Sequence, residues 1–173
     1  MLDLLILIAA TAVGLGGMRA LAPANEVFTY PYAPITPSPW LGWASVTASN
    51  WAFYLSPLLA AWTLGIVTLR LRPPRPRRLA FQPGWVGCCA AATGSVAGTV
   101  MTVIGIRGRY GMMSFFELVA YPVGVAVLAV WTHLAWSGQW RAEPTWIDRA
   151  GRIVGALWLA MLPLLWGRYL FSH

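Results

Sequence analysis

Five long apolar runs, separated by polar or proline-rich connectors, constrain this chain more than any other feature. They cover residues 2–21, 51–69, 83–106, 113–136 and 151–171. About 20 predominantly apolar residues carry a helix across the hydrocarbon of a bilayer. Hydrophobic residues make up 58% of the 173 residues and charged residues 10%, against about 25% charged in a soluble domain. A globule in water would have too few polar side chains to cover its surface. The expected fold is therefore all-α: one transmembrane domain over residues 1–173, a polytopic bundle of five membrane helices. The first run lacks the basic flank of a signal peptide and carries only Asp3 at its start, so it reads as a membrane helix.

The basic residues are all arginine, and the net charge is +7. They cluster between the apolar runs, which favours a membrane over nucleic acid as the reason for the charge. The densest cluster is "RLRPPRPRR", residues 70–78. Short arginine-rich loops stay on the cytoplasmic side. With five alternating spans and the N-terminus inside, the inner side holds Arg70, Arg72, Arg75, Arg77, Arg78, Arg141, Arg149 and Arg152. The outer side holds only Arg19, Arg107, Arg109 and Arg168. An N-in, C-out topology is expected, in a bacterial inner membrane, with the bilayer as the first partner. Arg70, Arg72, Arg75, Arg77 and Arg78 are expected to anchor lipid headgroups. Arg107 and Arg109 flank an outer turn, and Glu117 in the next span is expected to pair with them.

Between the first two runs lies a proline- and aromatic-rich stretch, residues 23–50, expected to rest at the membrane interface. A short interfacial helix is expected within it from "SPW", with Ser38 as N-cap and Pro39 at the first helical position. Pro57, Pro122 and Pro163 fall inside the second, fourth and fifth runs.

The third run carries small residues every fourth position: Ala90, Gly94, Gly98 and Thr102. Such spacing lets helix backbones approach closely, so this stripe is expected to be a packing face. Gly14 and Gly17 form a smaller patch of the same kind. Cys88 and Cys89 are adjacent, which suits helix packing better than a disulfide or a metal site. No metal ligand set is expected.

Glu117 and His133 are ionisable residues within the fourth run. On one straight helix they lie about 24 Å apart, so each needs its own partners. A neutral imidazole is a ready metal ligand. The stretch "LAVWTHLAWSGQWR" resembles the core of bacterial light-harvesting β polypeptides. That resemblance implies a chlorin ligated by His133 above Ala129, with Trp140 and Arg141 at the membrane edge. It covers Leu128–Arg141 alone, and that family has one span ending on the outer side.

Motifs of zinc hydrolases, serine hydrolases and nucleotide-binding loops are missing. The chain is expected to be a non-catalytic membrane protein, a small structural subunit of a larger membrane complex with other membrane subunits as partners. A small transporter or channel is the alternative, and a pigment- or haem-binding subunit through His133 a lesser one.

Overall fold

A computed structural model describes residues 2–26, 39–71, 82–105, 112–141 and 144–171. Its elements are five helices: α1 (Leu2–Glu26), α2 (Pro39–Leu71), α3 (Pro83–Gly105), α4 (Met112–Trp136) and α5 (Trp146–Phe171). Three of them contain stretches long and apolar enough to cross a membrane: Leu2–Ala20, Tyr54–Leu71 and Val119–Trp136.

Local chemistry explains several boundaries. Pro39 and Pro83 open α2 and α3, where a missing N–H costs no helical hydrogen bond. Thr145 caps α5: its carbonyl accepts from Arg149 N–H at 3.1 Å, and its Oγ1 accepts from Asp148 N–H at 3.4 Å. The end of α4 is closed by Gly138, whose φ of 65° is a left-handed conformation. There Gly138 N–H donates to Ala135 O and Gln139 N–H to Leu134 O, which satisfies the last carbonyls of the helix.

Three boundaries differ from the sequence reading. α1 continues past Leu21 and through Pro23 to Glu26. The expected interfacial helix and second span are one helix of 33 residues. Once started at Pro39, it meets no proline or glycine between Trp43 and Ser56, so nothing ends it. α5 starts at Trp146 rather than Gly151, because Thr145 caps it inside the connector that sequence alone leaves irregular.

The helices run up and down, each antiparallel to the next. A Cβ on Gly14 would lie 2.8 Å from Leu58 Cα, and one on Gly65 would lie 3.1 Å from Ala10 Cβ, which sets α1 against α2. A Cβ on Gly94 would lie 2.8 Å from Val123 Cα, which sets α3 against α4. Gly124 packs on Leu162 and sets α4 against α5. Two prolines fall at these crossings: Gly17 faces Pro57, and a Cβ on Gly94 would lie 3.1 Å from Pro122 O. Glycine on one helix leaves room for the close approach of its neighbour.

The core lies among α2 to α5 around Trp158, Ile66, Val123, Val127 and Val154. The indole of Trp158, 1% exposed, donates to Thr63 Oγ1 at 3.1 Å, and that hydroxyl donates to Leu59 O. The outer surface is apolar by contrast. Leu4, Val13, Leu64, Val96 and Ile153 are each about 60–70% exposed, where polar side chains stand on a protein in water. α1 is the extreme case, with 6% of its apolar window buried.

Candidate functional site

At one end of the bundle, four helix ends meet in a buried polar junction. α2 brings Arg70, 6% exposed, and the residue preceding α3 is Gln82, 1% exposed. α5 brings Asp148, 1% exposed. Arg70 Nη2 donates to Thr145 Oγ1 at 2.9 Å. Gly84 N–H donates to Asp148 Oδ1 at 3.0 Å. Arg152 lies one turn along α5, its Nε 3.3 Å from Asp148 Oδ2.

This arrangement follows from direction. α3 and α5 run parallel and start at the same end, so two positive helix N-termini converge there. A carboxylate is favourable at such a terminus. Asp148 occupies the first turn of its own helix and accepts a first-turn N–H of its neighbour, so one side chain serves both ends. Arg152 then balances the buried charge. Removing one partner of a buried ion pair is costly because it strands the other.

Glycine makes the closeness feasible. Gly84 lies directly against Asp148, and a Cβ on Gly151 would lie 2.6 Å from Gly84 O. Trp131 wedges in from α4: its indole donates to Pro83 O at 2.9 Å, and its ring packs on Gly87 and Gly155. Cys88 is wholly buried beneath, its Sγ 3.9 Å from Gly151 O.

The residues singled out by sequence are distributed as follows. Ala90, Gly94 and Gly98 are buried on α3, and Gly94 is the contact with the α4 backbone. Thr102 belongs to α3 and Glu117 to α4, but their side chains lie outside the described residues. Arg107 and Arg109 lie outside them too, as do Arg72, Arg75, Arg77 and Arg78. Arg70, expected among the headgroup anchors, is buried and holds Thr145 of α5 from the last turn of α2. His133 and Ala129 are exposed, one turn apart on α4. Trp140 packs edge-on against Trp131, with ring centroids 5.6 Å apart, and Arg141 beside it is exposed.

A second concavity lies between α2 and α3. It is an open groove of about 270 Å³ lined by residues including Ala60, Leu64, Ala92, Ser95, Val96 and Thr99. Its hydroxyls are turned back onto their own helices. Ser95 donates to Ala91 O and Thr99 to Ser95 O, both at 2.8 Å. The walls therefore present hydrocarbon. Among the described residues, no group of three or more His, Cys, Asp or Glu gathers to hold a metal.

Sequence reasoning missed the junction. Asp148 read as a polar residue beyond a span end. The spacing Thr145-x-x-Asp148 is close to the Ser/Thr-x-x-Glu capping pattern that announces a helix start, and it was the available signal. The approach of Gly84 to Gly151 across two helices had no local signature. No protein-family model, no curated protein and no solved structure matches this chain.

Proposed function

We propose that this chain is a non-catalytic integral membrane protein of five membrane-crossing helices, N-in and C-out, serving as a small structural subunit of a larger complex in a bacterial inner membrane. The inverted polarity of the bundle carries this reading. Arg70, Gln82, Asp148 and Thr63 are buried, while leucine, valine and tryptophan face outward. Burying charges while exposing aliphatic side chains is unfavourable in water and favourable in lipid. Arg70 belongs to the same end of the bundle as Arg141, Arg149 and Arg152, since it reaches Thr145, and the cytoplasmic side is where arginine-rich segments stay.

The structural role is supported by how the polar groups are used. The charges of the junction hold helix ends together, and the hydroxyls of the α2–α3 groove bond to their own backbones. The test is purification from native membranes in a mild detergent. A defined complex of fixed composition is the expected result. A lone chain that moves a solute when reconstituted into vesicles would favour a transporter or channel instead, for which the α2–α3 groove is the motivating feature.

A further inference from the structure

We infer that the end of the bundle carrying residues 136–141 and 144–149 docks the headgroups of anionic phospholipids, through Arg141 and Arg149 and the indoles of Trp136, Trp140 and Trp146. This docking presupposes the membrane reading above and adds to it a lipid class and the residues that hold it.

The surface has the two-zone chemistry of a headgroup boundary. Trp136 is 89% exposed, Trp146 48% and Trp140 39%. Amphipathic indoles favour the headgroup level. Arg141 and Arg149 are exposed beside them in sequence. One turn further along α5, Ile153 is 59% exposed, and Leu157 follows at 41%. The outer face of α5 thus passes from guanidinium to aliphatic within a single turn, about 6 Å along the axis. An acidic protein or a nucleic acid would account for the arginines but not for that step or for the bare indoles.

The backbone that carries the cations is placed before any lipid arrives. The left-handed turn at Gly138 and the hydrogen bonds of Gly138 and Gln139 fix the chain as it leaves α4. The edge contact of Trp140 with Trp131 pins it to α4, and Arg141 follows directly. The Arg149 backbone is set by its N–H bond to Thr145 O in the capped first turn of α5. The field there is positive as well. The N-termini of α3 and α5 point outward at this end, and Asp148 is buried against Gly84 and Arg152, so its charge is turned inward. The other described carboxylate of this end is Asp3, at the start of α1.

The test uses the full chain in mild detergent, with lipid adducts counted by native mass spectrometry. Phosphatidylglycerol and phosphatidylcholine with identical acyl chains are compared. Phosphatidylglycerol should be retained preferentially. The double substitution R141Q/R149Q should lower its retention about tenfold, toward the phosphatidylcholine level. R19Q, at an exposed site near the far end of α1, should leave the preference intact. Equal retention of the two lipids, or a preference that survives R141Q/R149Q, overturns the inference. The membrane reading fails separately, if alkaline carbonate strips the chain from membranes.

Discussion

Single atoms decide the junction at the basic end. Asp148 is the residue on which it depends, because its carboxylate accepts Gly84 N–H and faces Arg152 with no exposed surface of its own. Asp148→Ala leaves an N–H and a guanidinium without their carboxylate. It should destabilise the protein by about 1–3 kcal/mol, the cost of a buried N–H left unsatisfied, read as a lower thermal midpoint in detergent. Asp148→Asn keeps an acceptor for Gly84 and should lose less. Cys88 reports the same event, since it is wholly buried under Gly151. Maleimide should label it only on denaturation in the wild type and much sooner in Asp148→Ala. Equal labelling rates would show that the carboxylate does not hold this end closed. Two glycines offer a contrast. Gly151→Ala drives a methyl into Gly84 and should cost about 1–3 kcal/mol, whereas Gly16 has nothing within 4 Å. Gly16→Ala should therefore gain about 0.5–1 kcal/mol from helix propensity. None of this was visible along the chain. The spacing Thr145-x-x-Asp148 could have placed the start of α5, but the partner of Asp148 lies 64 residues away in sequence, beyond any local pattern.

Among the helices, α1 is attached differently from the rest. It packs on α2 through Ala10, Gly14 and Gly17, with Trp62 Nε1 donating to Thr11 Oγ1 at 3.1 Å. The other four helices share the core around Trp158. A branched side chain at Gly14 should therefore detach α1 and spare the remainder. In Gly14→Val, hydrogen exchange should accelerate over residues 2–20 while the amides around Trp158 stay protected. Uniform acceleration would mean that α1 is integral to the core. The helices themselves were largely readable, since long apolar runs and opening prolines mark where most of them lie. Their ends were less so. The second helix absorbed the expected interfacial segment, and the fifth began a turn early, because a cap or the lack of a breaker outweighs hydropathy there.

For the molecule as a whole, the distribution of polarity matters most. Buried Arg70 and Asp148 beneath an exterior of leucine, valine and tryptophan are the distribution that the proposed lipid setting favours. Resistance to extraction by alkaline carbonate is the expected outcome. Tags placed after Leu71 and after Phe171 should report opposite sides of the membrane, with the first in the cytoplasm. Both tags on one side would refute the five-span topology.

From the order of residues alone came the all-helical class, the approximate places of the helices and the clustering of arginine between apolar runs, because hydropathy and charge are sums over local composition. Which arginine is buried, which glycines touch and where the two positive helix ends converge emerged only with folding. Those are properties of distances between segments far apart in the chain, and they exist once α2 to α5 close around Trp158. Arg70 shows the difference most plainly. In sequence it is one of five like charges, and in the bundle it is buried and holds the start of α5 from the last turn of its helix.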